Sequence, residues 1–277
     1  MDFAGGLNER FLCVAPLQRH SNEMTTRRRF YAAPPAFAPA DKIVTLGTDE
    51  TRHARNVLRL KPGDDVYVFD GEGHEYRCRL AAFDHHAARL DLIETVEPAR
   101  PESRLNLALA VALLKGEKFD LVVQKATELG ATRLIPIVTA RADVPIRDER
   151  DAERKLERWR RIVLESIKQC GRAQLMEIDA PEMFESVLTI PEDDDHLRLM
   201  FAERDGSPLS KFAAGVSSRP EKLTALIGSE GGWTDDEISR AREQDWRIVT
   251  LGGRTLRAET AAIVIAALLQ HAFGDLV

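Results

Sequence analysis

The chain has no run of 18 or more apolar residues, so no segment reads as a membrane-spanning helix. Its start carries no cationic stretch followed by an apolar core, so a secretory leader is not expected. Cysteine is scarce. Cys13, Cys78 and Cys170 are isolated, odd in number and form no C-x-x-C pair, which supports neither a zinc site nor a disulfide framework. A reducing cytoplasm is the expected compartment. No cluster of His and Asp suggests a bound metal. An excess of positive charge is missing too: the net charge is −6, nearly all of it after residue 104. That balance weakens a nucleic-acid reading without excluding it, because RNA contact needs only a local basic patch. Thr51–Lys61 is such a patch, basic and free of acids, and Arg27–Arg29 is a basic triplet.

The length of 277 residues suits two domains. Residues 1–26 show little periodicity and read as a flexible extension, with Met24 a second candidate start. Ala32–Ala40 is a Pro/Ala stretch that suits neither a regular helix nor a central strand. From there to Pro98 the signals are β-like, with turns at Lys61–Asp64 and Asp70–Gly73 between short apolar strands. The expectation is a small β-barrel domain over residues 27–98, followed by a linker at Pro98–Pro101. After residue 104 strands and helices alternate. Leu105–Leu113, Arg133–Val138, Leu197–Ala202, Leu223–Ile227 and Arg247–Leu251 read as strands. Phe119, Val122, Ala126 and Leu129 form a helical stripe, as do Leu156, Trp159, Val163, Ile167 and Cys170. Such alternation predicts an α/β fold with a mostly parallel sheet over residues 104–277.

Two glycine-rich turns stand out: GSEGGW at Gly228–Trp233 and LGGRTLRAETAA at Leu251–Ala262. Each follows a strand and leads into a helix, the first through a T-x-x-E capping box at Thr234–Glu237. Both therefore belong at the carboxyl edge of the sheet, where ligands bind in this fold class. Neither turn has the lysine of a phosphate-binding loop, and the only G-x-G, at Gly71–Gly73, sits in a hairpin. No Ser-centred nucleophile elbow occurs. The turns alone are compatible with a main-chain pocket or with simple chain reversal.

GSEGGW, LGGRTLRAETA, KFDLVVQKATELGATRLIPIVTAR (Lys118–Arg141) and RWRRIVLESIKQCGRA (Arg158–Ala173) together resemble the bacterial 16S ribosomal RNA uridine N3-methyltransferase family of the knotted SPOUT class. Upstream, His53–Asp64 followed by FDGEG resembles that family's PUA-like RNA-binding domain. The resemblance covers roughly residues 27–275. The chain departs from it at Ser229, where proline is usual, at Ala258 within the Arg-x-Glu-Thr segment, and at Met176.

The resemblance implies a SPOUT-type parallel sheet with a deep C-terminal trefoil knot, a PUA-like β-barrel before it, and S-adenosyl-L-methionine as cofactor. Cofactor contacts would come from Ile227, Gly228, Glu230, Gly231, Gly232, Leu251, Gly252, Arg254, Leu256 and Thr260. Backbone groups of the Leu251–Leu256 turn would read adenine between Ile227 and Leu256. Arg257, Glu259 and Arg28 are the catalytic candidates, Arg28 being supplied by a partner subunit. Arg257 is permanently cationic and cannot serve as base, but it can steady a uracil oxyanion. Arg29, Arg52, His53, Arg55, Arg59, Lys118, Lys125, Gln169 and Arg172 are candidate RNA contacts. Arg52, Arg55 and Arg59 are spaced to share a helix face, and Lys125 could instead pair with Glu128. The implied partners are 16S rRNA in the small ribosomal subunit and a second copy of the chain. A related methyltransferase with another RNA target and a non-catalytic RNA-binding assembly protein are the competing readings.

Overall fold

The computed structural model describes residues 27–276 apart from 39, 41, 143, 145–147 and 191–194. The reading of residues 1–26 lies outside the described residues. Two sheets carry the fold. The first is built from β1 (Arg29–Tyr31), β2 (Phe37–Ala38), β3 (Ile43–Leu46), β4 (Asp65–Phe69), β5 (Glu75–Phe83) and β6 (Ala88–Val96), in the order β1-β4-β5-β6-β3-β2. A single parallel pairing, β1 with β4, interrupts an otherwise antiparallel pattern. Alternate residues of these strands point inward: Phe30, Val44, Leu46, Val66, Val68, Cys78, Leu80 and Leu90 form one core. Strands from both ends of the path share it, so the sheet curls around its own interior. The described end strands do not pair with each other, so this is a curled sheet with open edges rather than a fully closed barrel. Burial pushes the Cys78 thiol up to about 12, which leaves it inert.

Between β3 and β4, α1 (Thr48–Arg52) runs into a wider π-helical turn over His53–Val57. This corrects the expectation of one helix face. Arg59 lies beyond the helical turns in a left-handed conformation (φ 53°), because the chain reverses there to bury Leu60.

The second sheet is entirely parallel. Its strands are β7 (Asn106–Ala112), β8 (Arg133–Val138), β9 (Glu177–Ile178), β10 (Glu182–Met183), β11 (His196–Phe201), β12 (Ser207–Pro208), β13 (Lys222–Ile227) and β14 (Arg247–Thr250). The order is β10-β8-β7-β13-β11-β14-β12, with β9 also on β8. The helices are α2 (Lys118–Glu128), α3 (Glu149–Cys170), α4 (Phe184–Leu188), α5 (Leu209–Gly215), α6 (Asp235–Glu243) and α7 (Ala258–Phe273). One face of the sheet buries Leu107, Leu109, Leu223, Ala225 and Val249 under α2, α3 and α7. The other buries Ala110, Met200 and Leu226 with Phe184, Trp233, Ile238 and Trp246. Burial on both faces explains why these strands read as nearly unbroken apolar runs.

The two sheets are bolted together. Glu75, whose side chain is fully buried, accepts from Arg27 and Arg29 at 3.2 and 3.1 Å and from the Ala99 N–H at 3.0 Å. Arg29 also donates to the carbonyls of Ile167 and Arg172 and stacks over Phe69. The Gly71–Gly73 hairpin lies against residues 173–175, with Leu175 N donating to Gly71 O. Lys168 of α3 pairs with Glu50 of α1.

Candidate cofactor pocket and its charged rim

Strand order makes the pocket. β11 lies between β13 and β14, and all three run in the same direction, so the loops that follow them meet at one edge. After β13, the Gly232 N–H donates to Ser229 O at 3.0 Å, closing a tight turn, and Gly232 takes a left-handed φ of 63°. The chain then enters α6 through the capping box: Thr234 caps the Glu237 N–H, and Glu237 Oε2 accepts from Thr234 N at 2.8 Å. The other carboxylate oxygen of Glu237 accepts from Ala140 N at 2.9 Å, tying this loop to the end of β8. Arg141 adds a second tie, donating to the carbonyls of Gly231 and Trp233, while the Ser229 hydroxyl donates to Arg141 O at 3.0 Å. The serine standing where proline was expected is therefore anchored by its own hydrogen bond. Trp233 folds back beneath the loop and donates from Nε1 to Phe201 O at 2.8 Å. A side chain at Gly228 would strike that indole, at 3.1 Å.

After β14, Gly252 and Gly253 both have positive φ, 71° and 74°, a region open to glycine at little cost. The loop enters α7 at Arg257, whose extended backbone makes it the N-cap. The two turns and the β11 loop enclose a cavity of about 250 Å³, near the lower end of small-molecule sites (roughly 300–1,000 Å³). Of the expected contacts, Ile227, Gly228, Gly232, Leu251, Gly252, Arg254 and Leu256 line it. Glu230, Gly231 and Thr260 do not. Gly231 packs on Arg141, and Thr260 is exposed on the first turn of α7. The sequence reading missed Phe201, Ala202, Glu203, Trp233, Ala261 and Ile265 in the lining. Glu203 was findable as the acid just past a strand end; the intervening position of β11 was not.

The rim is charged. Lys118, at the start of α2, donates to Glu230 Oε1 at 2.6 Å. That bond lifts the Lys118 ammonium above its ordinary pKa and holds the Glu230 carboxyl below the usual glutamate value. Glu259 and Arg257 also act on Lys118, in opposite directions. Glu259 is buried, and its Oε2 has no hydrogen-bond partner. Arg254 and Arg257 are exposed and make no ion pair with any described residue.

Of the candidate RNA contacts, Arg52, His53, Arg55 and Arg59 lie on one short segment of the small domain, and Lys118, Lys125 and Gln169 lie on α2 and α3. Arg52 pairs with Asp49, and His53 packs edge-on to Phe30. Arg55 lies over the Phe83 ring and donates to Asp84 O. Lys125 pairs with Glu128 at 2.7 Å, and Gln169 is exposed beside the groove between α2 and α3. Two arginines are corrected. Arg29 and Arg172 are buried struts of the domain junction, not RNA-facing cations. Arg172 donates to Glu102 and to the carbonyls of Thr127 and Ala131. Arg28 stays on the small domain, 3.7 Å from Asp64. Among the described residues no group of His, Cys, Asp and Glu could hold a metal, and no helix is long and apolar enough to cross a membrane.

Residues 101–270 match the family model of the RNA methyltransferase domain, and residues 46–93 match that of the RNA methyltransferase PUA domain. The chain belongs to the RNA methyltransferase family. Within this family it is 35% identical to the ribosomal RNA small subunit methyltransferase E of Synechocystis sp. over 261 residues, covering 94% of this chain and 83% of the relative. The Bacillus subtilis protein of the same name is 33% identical, covering 80% and 88%. Among solved members, ribosomal RNA small subunit methyltransferase E from Neisseria gonorrhoeae, bound to S-adenosyl methionine, superimposes with a TM-score of 0.79 at 29% identity. It covers 91% of this chain and all of that one. A Legionella pneumophila methyltransferase in complex with the same cofactor gives 0.80 at 29% identity, with the same coverage.

Proposed function

We propose that this protein transfers the methyl group of S-adenosylmethionine to N3 of a uridine in 16S rRNA of the small ribosomal subunit. The observation that carries the reading is the cavity between the two glycine turns, in a chain that aligns over nine-tenths of its length with a methyltransferase bound to that cofactor. The lining suits the cofactor. Ile227, Leu251, Leu256 and Ile265 offer apolar walls for a purine, and the side-chain-free Gly252 and Gly253 leave main-chain groups open to its edge. Glu203 brings a carboxylate that can accept from sugar hydroxyls or an ammonium group. When bound, the cofactor supplies an electrophilic methyl group on a sulfonium.

The chain's own residues then position and stabilise. Arg254 lines the cavity and Arg257 follows at the N-cap of α7; neither makes an ion pair with a described residue, so their guanidinium groups can meet a nucleotide phosphate or the oxygens of a uracil anion. Arg52 and Arg55 on the small domain supply further cationic contact for RNA. The connection from β14 through the glycine turn into α7, which packs back on α2 and β13, supports a C-terminal trefoil knot. Leu268, 39% exposed on the outer face of α7, supports a homodimer formed through that helix, with Arg28 entering the partner's site. The compartment is the cytoplasm, where the small subunit resides.

The test is transfer of labelled methyl to small subunits from a strain lacking the activity, followed by nucleoside mass analysis. The reading expects 3-methyluridine. A different methylated nucleoside would move the target, and absence of cofactor binding would reject the enzyme.

A further inference from the structure

The first turn of α7, beside the pocket, contains a group without a partner among the described residues. Glu259 is only 9% exposed, and its Oε2 meets no hydrogen-bond donor among the described residues. A buried carboxylate oxygen without a donor is costly, and native proteins keep few of them outside working sites. Its position on the chain is equally telling. Ala258 and Ala261, on either side of it in the first turn of α7, both line the cavity. α2 packs directly on α7, bringing Lys118 within the field of Glu259. Lys118 of α2 lies in the field of Glu259, of Arg257 at the N-cap of α7 and of Glu230 in the glycine loop, and Glu230 in turn lies in the field of Lys115 from the segment before α2.

The substrate edge dictates a matching pattern. An N3-unmodified uracil presents acceptor, donor, acceptor along O4, N3–H and O2. A site that reads it must offer donor, acceptor, donor. Glu259 carries the acceptor for such a set, and Arg257 and Lys118 carry donors.

We propose that Glu259 accepts the N3 proton of the target uracil, with the Lys118 ammonium as a positioning charge beside it. This deepens, and rests on, the methyl-transfer reading above. The step moves one proton from N3 to the carboxylate. The N–H electron pair stays on nitrogen as the lone pair that takes the methyl group, the S–CH3 pair returns to sulfur, and Glu259 releases its proton to solvent after transfer. Lys118 is a positioning residue. Its ammonium lies within the field of Glu259 and is held by Glu230 Oε1 at 2.6 Å.

The experiment combines calorimetric cofactor binding, thermal melting and single-turnover methylation of small subunits across pH. For Glu259→Gln, transfer falls by about 100-fold or more while cofactor affinity stays within about threefold of the parent and melting is unchanged. The residual rate climbs with pH, because the imide must then ionise unaided, whereas the parent rate levels off. Glu259→Asp restores part of the rate. Lys118→Met lowers transfer while cofactor affinity stays within about threefold of the parent. Unchanged turnover in Glu259→Gln overturns the proposal. So does a parallel loss of cofactor binding or stability, which would make Glu259 structural. If the parent forms no 3-methyluridine, the methyl-transfer reading falls and takes this one with it; if the parent forms it and Glu259→Gln does so equally fast, only this one falls.

Discussion

The domain junction and the pocket rim use the same residue type in opposite ways. At the junction, Arg29 and Arg172 spend their donors on buried acceptors: Glu75, Glu102 and backbone carbonyls of Ala131, Ile167 and Thr127 among them. At the rim, Arg254 and Arg257 are exposed and make no ion pair with the described residues. An arginine held by acceptors of the fold fixes geometry. One left free at a cavity is available to a ligand. Only the three-dimensional surroundings separate the two, since RRRF and GGRTLRAET are equally basic as strings.

The largest effect should come from the junction. Glu75→Ala strands Arg29 in a site where its side chain is 6% exposed, and breaking such a buried pair costs about 3–5 kcal/mol. Urea unfolding checks it, and a loss below about 1 kcal/mol would mean that the junction is no stiffer than a surface ion pair. Next is Arg257→Ala at the rim. Turnover should fall about 100-fold, the scale of losing one donor to a developing oxyanion, with melting temperature unchanged because no protein contact is lost. A smaller effect belongs to Gly252→Val. A Cβ there meets nothing within 4 Å, so the penalty is purely backbone, about 1–2 kcal/mol for a left-handed residue. It should appear as a roughly tenfold weaker cofactor affinity by calorimetry if the valine draws the loop toward negative φ.

The smallest effect concerns Lys118–Glu230. Its side chains are 40% and 44% exposed, so solvent screening keeps its contribution small. Glu230 has a lowered pKa in the folded protein, so this contribution is present above the ordinary value of 4.5 and is lost as pH falls through the lower folded value. The melting difference between the parent and Lys118→Met should accordingly be constant near neutrality and vanish in acid.

Local rules carried much of this structure. The Thr234 capping box, the stripe of α3 and the Arg133–Val138 strand all follow from spacing and residue type, and the structure shows each. What local pattern could not show was adjacency. β11 precedes β13 in the chain but lies between β13 and β14, and that interleaving is what brings Phe201, Ala202 and Glu203 to the pocket. The run Arg52, Arg55, Arg59 misled for a related reason. Helical spacing assumes a helix that continues, and here a π-turn and a left-handed residue end it. Arg29 and Arg172 misled because basicity does not reveal whether a carboxylate waits across a domain boundary.

Trp233 has a practical consequence. The chain holds three tryptophans. Trp159 packs on Phe119 beneath the helices, and Trp246 donates to Leu188 O in the same core cluster as Trp233. Trp233 alone lines the cavity, with its indole nitrogen engaged and its ring beside Gly228. The protein thus contains its own optical reporter: occupancy of the pocket is expected to change the emission of one indole against a background of two that do not line it, so binding can be titrated without a label.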